Sequence, residues 1–238
     1  MSGSSDARSP GVQEPWAGLA RARTADGDEL VLRQRGPQFE IRCNGWELMS
    51  SRSHYSEEQA AILACQGLAE AGEAPAILVG GLGMGFTLRA VLDAAPPSAR
   101  VIVAEKLPEI IAWNRGPLSS LAGGPLDDPR VEARNEDIAG LLGAPARFAA
   151  IVLDVDNGPE AVMMDANQRL YTEAGLHRLR RALIPAGRLS VWSADRSARF
   201  EQALGAAGFA WRGVQVPARG LAGDPMHTIY LACPAGPR

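Results

Sequence analysis

The sequence contains few cysteines and no excess of basic residues, and both shortages exclude classes of protein. Its 238 residues include three cysteines, Cys43, Cys65 and Cys233, without a CxxC pair. An odd number at this dilution argues against a disulfide framework and a zinc site and fits a reducing compartment, so we expect a cytoplasmic protein. With 24 basic and 27 acidic residues the formal net charge is −3. Neither nucleic acid nor an anionic membrane surface is therefore expected as a partner.

Long apolar runs are also missing. No stretch approaches the roughly 20 consecutive apolar residues that cross a bilayer, so we expect no membrane span. The hydrophobic content of 46 % is nevertheless ample for a buried core. Residues 1–15 are rich in Ser, Gly and Pro and look like neither a signal peptide nor an amphipathic presequence, so they are expected to form a disordered tail.

Turn-forming pairs divide residues 16–54 into short segments. The pairs are Asp26-Gly27, Gly36-Pro37 and Asn44-Gly45, and such pairs between apolar segments are typical of β-hairpins. Strands are expected at residues 30–32, 39–41 and 46–48. A hairpin unit this small cannot hold a core of its own, so it should pack on the domain formed by residues 55–238.

From residue 55 onward, apolar strands alternate with helical segments. Ser56 is expected to begin a helix that ends at Gly72, as the cap of a capping box with Gln59 and with Glu57 and Glu58 in the first turn. Later helices are expected at residues 86–94, 108–115 and 168–183, and strands at residues 76–79, 101–104, 131–133, 151–153 and 189–192. Continuous apolar strands separated by helices indicate a parallel sheet that is covered on both faces.

The pattern changes near the C-terminus. Residues 214–216 and 228–231 form two strand-like segments with no room for a helix between them, so they should pair in antiparallel fashion. We therefore predict an α/β protein with a Rossmann-like methyltransferase fold. Its sheet is expected to be mostly parallel and seven-stranded, to end in an antiparallel hairpin, and to follow the small N-terminal β-hairpin unit.

A glycine-rich loop follows the first strand of this sheet. Gly81, Gly83 and Gly85 alternate with other residues, Met84 among them, whereas Phe86 breaks the GxGxxG pattern of dinucleotide-binding proteins. Alternating glycines let the backbone turn sharply and let amides at a helix N-terminus approach a ligand. We expect residues 81, 83, 84 and 85 to bind a cofactor; the alternative is a tight turn without a ligand.

Two acidic residues follow the next strands. Glu105 ends the second strand, where a carboxylate can accept hydrogen bonds from both hydroxyls of a ribose, although it could also be an ordinary charge at a strand end. Asp137 follows the third strand and could accept from an adenine amino group. Its alternative role is to cap the helix that starts at Ile138, and one side chain could do both.

A cluster of polar residues follows the fourth strand. Asp154, Asp156 and Asn157 lie together on a loop that Gly158 and Pro159 make irregular. Carboxylates this close together in the sequence raise each other's pKa, so the cluster suggests that a binding partner stabilises their charges. Three roles compete: a general base, an anchor for a cationic acceptor, and ligands for a hard divalent metal, for which too few oxygen ligands are evident. We expect Asp154 and Asp156 to be catalytic and no metal to be bound.

The order of these features resembles the spermidine synthase-like, or polyamine aminopropyltransferase-like, branch of the class I S-adenosylmethionine-dependent methyltransferase superfamily. The matching features are the N-terminal β unit, Ser56-Glu57-Glu58, Leu78-Val79-Gly80-Gly81, Leu88-Arg89, Glu105, Glu136-Asp137 and Asp154. The resemblance implies that residues 55–238 bind S-adenosylmethionine or its decarboxylated form. It makes Glu105 the ribose acceptor, Asp137 the adenine contact and Asp154 the base or amine anchor, and it suggests a homodimer.

The sequence departs from the family's pattern at three places. Met84 stands where the family has an Asp that pairs with the donor's terminal amine, and an apolar thioether cannot neutralise an ammonium. The family's Tyr-x-Glu segment is expected to be replaced by Ser56-Glu57-Glu58, with Tyr55 adjacent, and the acidic loop after the fourth strand has one extra residue. We expect the acceptor to be bound by Tyr55, Glu57, Glu58, Asp156 and Asn157.

Three functions remain in competition. The first is transfer of a methyl or another carbon group from S-adenosylmethionine to a small polar acceptor by in-line attack. The second is aminopropyl transfer from decarboxylated S-adenosylmethionine to a polyamine, because the acidic residues would suit a cationic acceptor. The third is a non-catalytic module that keeps the cofactor pocket and binds a partner protein.

Overall fold

The computed structural model describes residues 14–25, 27–68, 74–155, 157–160 and 165–236. Most of the expected N-terminal tail and Asp26 of the first turn therefore lie outside the described residues. The chain divides into two compact units between residues 52 and 53. None of the described helices is long and apolar enough to span a membrane.

The N-terminal unit is a four-stranded antiparallel sheet. Its strands follow chain order: β1 (Ala17–Arg23), β2 (Glu29–Arg35), β3 (Gln38–Cys43) and β4 (Trp46–Ser50). The turn between β3 and β4 has positive φ at both Asn44 and Gly45, the conformation that a two-residue hairpin turn requires. The predicted hairpin strands are confirmed, whereas β1 was missed because its sequence of Ala, Gly, Leu and Arg lacks β-branched residues.

The larger unit contains a seven-stranded sheet. Its strands are β5 (Ala76–Gly80), β6 (Arg100–Ala104), β7 (Val131–Arg134), β8 (Phe148–Leu153), β9 (Leu183–Ser193), β10 (Phe209–Pro217) and β11 (Met226–Pro234). Their spatial order is β7-β6-β5-β8-β9-β11-β10. The five strands from β7 to β9 are parallel, and β11 pairs antiparallel with both β9 and β10. The predicted fold class is confirmed.

Seven α-helices accompany this sheet in the described part of the chain. They are α1 (Tyr55–Cys65), α2 (Phe86–Ala94), α3 (Pro108–Arg115), α4 (Ile138–Leu141), α5 (Asp165–Gln168), α6 (Glu173–Ala182) and α7 (Ala198–Ala206). The spans predicted for α2 and α3 are confirmed. The single helix expected over residues 168–183 was wrong, because Thr172 caps a separate helix there by accepting from the Gly175 amide.

The start and the end expected for α1 were also wrong. The helix begins at Tyr55, so Ser56 lies inside its first turn and is buried instead of capping it. It ends at Cys65, because Gln66 leaves the helical conformation and Gly67 adopts a positive φ. An acidic first turn therefore located the helix but not its first residue.

The strand order places the functional loops at one edge of the sheet. From β5 the chain continues on one side to β6 and β7, whereas β8 lies on the other side of β5. The carboxyl ends of β5 and β8 thus flank the point where the strand order reverses, which is where open α/β sheets bind ligands. The glycine loop follows β5, and the Asp154 loop follows β8.

Candidate functional site

The glycine loop packs directly against the end of β8. Gly81 has a φ of 87°, and a Cβ at this position would lie 2.0 Å from the Asp154 carbonyl oxygen. The Asp154 amide also donates to the Gly80 carbonyl, at 2.9 Å. Glycine is therefore required at residue 81 by the neighbouring backbone, and the close approach joins the two loops that the sequence singled out.

A buried asparagine supports the loop from α3. The Asn114 side-chain amide donates to the Gly83 carbonyl at 2.8 Å and to the Ile110 carbonyl at 2.9 Å. A Cβ on Gly85, whose φ is 88°, would lie 3.1 Å from the Asn114 Oδ1. Asn114 was not predicted as a site residue. Its only signal in the sequence is a side-chain amide on the apolar face of a helix.

Met84 turns its side chain into the protein. The residue is 5 % exposed and belongs to the buried core. The position that resembles the family's amine-binding Asp therefore carries an apolar side chain that packs internally. Any contact of Met84 with a cofactor would have to come from its backbone.

Glu105 holds the glycine loop to the end of β6. Its Oε2 accepts from the Leu82 amide at 3.0 Å, and its Oε1 accepts from the Leu107 amide at 2.9 Å. Burial raises the pKa of Glu105, and these backbone hydrogen bonds oppose the rise. A carboxylate has about four lone-pair sites, and Glu105 is partly exposed. The backbone amides of Gly83 and Lys106 also hydrogen-bond this carboxylate, so a contact of Glu105 with the hydroxyls of a ribose stays a prediction.

Asp137 caps α4, as the alternative for this residue anticipated. Its Oδ1 accepts from the Ala139 amide at 2.9 Å, and its Oδ2 accepts from the Arg169 guanidinium at 2.5 Å. The neighbouring Asn135 donates to the carbonyls of Glu105 and Lys106. These contacts fix the loop after β7 against the loop after β6, and contact of Asp137 with an adenine stays a prediction.

Asp154 lies in a desolvated position at the end of β8. Burial raises the pKa of its carboxyl to about 6, and the hydrogen bond from the Thr87 hydroxyl opposes that rise. The Thr87 Oγ1 donates to the Asp154 Oδ2 at 2.6 Å. Because Thr87 belongs to the first turn of α2, the carboxylate is positioned by the same helix that the glycine loop opens.

Glu57 is the second carboxylate of this region. Burial raises its pKa to about 8, with a further rise from the charge of Asp154 and an opposing hydrogen bond from Ser56. The two acids are thus close enough to titrate as a pair. Within the described part of the chain, neither has an ion-pair partner. Electrostatically the pair favours a bound cation or a bound proton.

Glu58 is directed toward a different set of residues. Its Oε1 lies 2.8 Å from the His54 Nδ1, and the His54 ring stacks on Phe86 with centroids 3.9 Å apart. Phe86 opens α2, so this contact joins the starts of α1 and α2. Glu58 therefore contacts His54, and its role in binding the acceptor stays a prediction.

Tyr55 packs against the β10–β11 loop. A Cβ on Gly220, whose φ is 77°, would lie 3.1 Å from the Tyr55 Cγ. Tyr55 and Glu57 are separated by one residue, so the expectation that the Tyr-x-Glu segment is replaced was wrong. Both residues lie in the first turn of α1, as that spacing requires.

The Asp154 loop is tied to the end of β9. The Asn157 carbonyl accepts from the Ala194 amide at 3.0 Å, and a Cβ on Gly158 would lie 2.1 Å from the Ser193 Oγ. Asn157 itself is exposed. Asp156 lies outside the described residues, and its catalytic and acceptor-binding roles stay predictions. No group of three metal-ligating side chains occurs among the residues described.

Comparison with known proteins identifies the fold. No protein-family model and no curated protein matches the chain. Among solved structures it is similar to the spermidine synthase of Thermotoga maritima, with a TM-score of 0.71, 18 % identity, and coverage of 92 % of this chain and 73 % of that one. It is also similar to a spermidine synthase in complex with the transition-state analogue AdoDATO. The TM-score is 0.69 at 18 % identity, with 92 % of this chain and 72 % of that chain covered.

A third solved structure agrees with these two. The probable spermidine synthase of Corynebacterium glutamicum ATCC 13032 gives a TM-score of 0.63 at 17 % identity, with 91 % and 79 % of the two chains covered. Similarity at this level of identity establishes a shared fold. The resemblance drawn from the sequence motifs is confirmed to that extent.

Proposed function

We propose that this protein is an aminopropyltransferase that moves the aminopropyl group of decarboxylated S-adenosylmethionine to a small amine. The observation that carries the proposal is the Glu57–Asp154 pair: both carboxyls are partly buried, the charge of Asp154 raises the pKa of Glu57, and neither has an ion-pair partner in the described chain. An ammonium beside the pair would favour the ionised form of both acids, because opposite charge lowers a carboxyl pKa. A cationic acceptor therefore fits better than a neutral one.

The donor would bind along the edge formed by the loops after β5, β6 and β7. Glu105 would accept hydrogen bonds from the ribose, the loop from Gly81 to Gly85 would lie against the donor, and Asp137 would lie near the adenine. A sulfonium donor supplies a carbon that is bonded to positively charged sulfur and is therefore electrophilic. The position of Glu105, which is partly exposed and accepts a hydrogen bond from the Leu82 amide of the loop, supports this placement.

The acceptor side would supply the base. An amine attacks through its lone pair, so the Asp154 carboxylate would first take a proton from the acceptor's ammonium. The new N–C bond forms as the C–S bond breaks, and the bonding electrons stay on sulfur as a neutral thioether. Tyr55, Asn157 and the undescribed Asp156 would complete the acceptor site, and most of the acceleration would come from positioning.

Methyl transfer from S-adenosylmethionine is the second candidate, and Met84 favours it. A buried thioether at that position offers no charge to the terminal ammonium of a decarboxylated donor. A donor that keeps its carboxylate would need a cation instead. Arg89, the nearest arginine along the chain, is paired with Asp93 at 2.5 Å and lies beside Gly123, so the donor carboxylate would be bound by loop amides.

Parallel incubations separate these candidates. The protein is mixed with a diamine such as putrescine and with either form of the donor, and the by-product is identified by mass. Aminopropyl transfer gives methylthioadenosine from the decarboxylated donor alone. S-adenosylhomocysteine from the intact donor would replace the proposal with methylation, and donor binding without any by-product would support a binding module.

A further inference from the structure

A buried hydroxyl lies at the junction of three elements behind the acceptor site. The Ser56 Oγ, in α1, accepts from the Trp192 indole N–H of β9 at 2.9 Å. It also lies 2.5 Å from the Glu57 Oε2 and 2.9 Å from the Nδ1 of His227, in β11. Ser56 is fully buried, whereas His227 is partly exposed.

The hydroxyl has three partners and only one proton. An indole N–H can donate but not accept, so Trp192 occupies one lone pair of the Ser56 oxygen in every protonation state. One proton and one lone pair remain for Glu57 and His227. If Glu57 is ionised, Ser56 donates to it and His227 must donate from Nδ1. If Glu57 is protonated, it donates to Ser56, and Ser56 donates to an unprotonated His227 Nδ1.

We propose that Ser56 and His227 form a proton relay that connects the Glu57 carboxyl to solvent. The catalytic use of the relay rests on the proposed function, because the acceptor ammonium must lose a proton to the Asp154–Glu57 pair in each turnover. The relay itself requires only the four side chains that meet at the Ser56 hydroxyl.

Each transfer leaves every group with its proper number of protons. The Glu57 O–H gives its proton to the Ser56 oxygen while the Ser56 O–H gives its own to the His227 Nδ1. The resulting imidazolium releases its Nε2 proton to solvent, which leaves Glu57 ionised, Ser56 donating to it and the neutral imidazole donating from Nδ1. When Glu57 takes up its next proton, rotation of the imidazole ring presents the unprotonated nitrogen to Ser56 and restores the starting hydrogen bonds. The net result is one proton carried from the pair to solvent.

The surroundings of His227 suit a group that is neutral at rest. Burial lowers the pKa of His227, and the charges of Asp195, after β9, and Asp224, in the β10–β11 loop, oppose that shift. The edge of Trp192 packs on the imidazole with ring centroids 4.9 Å apart. His227 is therefore ready to accept a proton, and the two acidic residues stabilise the transient imidazolium.

Nitrogen NMR of the substrate-free protein tests the relay separately from the enzymatic reaction. With histidine labelled by ¹⁵N, the His227 Nδ1 is expected to change from an unprotonated acceptor to a protonated donor as the pH rises through the Glu57 pKa of about 8. Ser56→Ala should abolish this transition. His177, exposed and near Glu173 on α6, is the internal control and should not show it.

One tautomer of His227 throughout that titration, or a transition that persists in Ser56→Ala, would overturn the relay whatever the protein catalyses. Turnover provides the second readout. His227→Gln should lower kcat about tenfold or more without changing KM, and added imidazole should restore it. An unchanged kcat would overturn the relay. His177→Gln is the matched control, and circular dichroism checks that each variant is folded.

Discussion

The proposed donor side and the proposed acceptor side of the sheet edge are built by opposite means. On the donor side, backbone amides of the glycine loop and of the loop after β6 donate to Glu105, and Asn114 donates back to the Gly83 carbonyl. On the acceptor side, Glu57 and Asp154 are partly buried near each other, without an ion-pair partner in the described chain. The first side is satisfied at rest, whereas the second is not.

The two sides therefore suit different kinds of ligand. Hydrogen bonds that are already made preorganise a surface for a ligand of fixed shape, and they change little when it binds. Carboxylates that are disfavoured at rest are stabilised by a cation, so their environment selects for charge. Substitutions on the two sides should accordingly change different quantities: donor affinity on the donor side and kcat on the acceptor side.

Removing the proposed base should have the largest effect. Asp154→Asn is expected to lower kcat about a hundredfold or more, because an amide cannot accept the acceptor's proton. Donor affinity, measured by calorimetry, should stay close to that of the unchanged protein. Asp93→Asn, on the exposed end of α2, is the control and should leave kcat unaffected. A parallel loss of donor affinity would show that the two sides are not separate.

Adding a side chain at the contact between the two loops should have the next largest effect. Gly81→Ala places a Cβ 2.0 Å from the Asp154 carbonyl at a φ of 87°, so we expect about 3 kcal/mol or more of lost stability in urea denaturation. Gly123→Ala shares a positive φ of 68° but meets its nearest side-chain atom at 3.7 Å. The control should lose about 1 to 2 kcal/mol. Equal losses would contradict the close approach.

Glu105→Ala should weaken donor binding without affecting the acceptor side. Loss of charge-assisted hydrogen bonds to a ribose corresponds to about 1.5 to 3 kcal/mol, or roughly tenfold to a hundredfold in Kd. Calorimetric titration with the donor measures this change. Glu132→Ala, an exposed residue of β7, provides the comparison. If donor affinity were the same in both variants, the ribose assignment would be wrong.

The smallest effect, measured per pH unit, is a change in the pH dependence of stability. The pKa of Glu57 is raised from 4.5 to about 8 by burial and by Asp154, so the native state holds this proton more tightly than the unfolded chain. That stabilisation is complete below pH 4.5 and is lost as the pH rises through 8. The free energy of unfolding should fall by at most about 1.4 kcal/mol per pH unit for this group.

Glu57→Gln should remove that slope and leave the variant more stable than the unchanged protein in alkaline solution. Urea denaturation at a series of pH values measures both quantities. Glu173→Gln, at the exposed start of α6, should retain the original profile. A Glu57→Gln variant with an unaltered slope would mean that Glu57 titrates as an ordinary surface acid.

The sequence was most informative where function depends on neighbours along the chain. The β5–α2–β6–α3 segment could be predicted because apolar strands, glycines and Glu105 follow one another within a single βαβ unit. Ser56 could not be assigned, since its partners Trp192 and His227 lie 136 and 171 residues away. Thr87 and Asn114 were missed for the same reason, because tertiary contacts alone give them their roles.

Some errors came from local patterns that the fold overrode. The acidic first turn of α1 suggested Ser56 as a cap, but Ser56 lies within that turn and its hydroxyl accepts from the Trp192 indole. Asp137 carried two possible roles, and the cap of α4 is the one that the contacts bear out. The homodimer and the cytoplasmic location stay predictions.

If a bound cation stabilises the ionised Glu57–Asp154 pair, binding of an amine should release a proton from the pair. Calorimetry with putrescine, in the presence of saturating methylthioadenosine and in two buffers of different ionisation enthalpy, measures the protons released. Near neutral pH we expect about one proton per amine bound, and none in Glu57→Gln. Binding that releases no proton from the unchanged protein, or no binding at all, would contradict the claim.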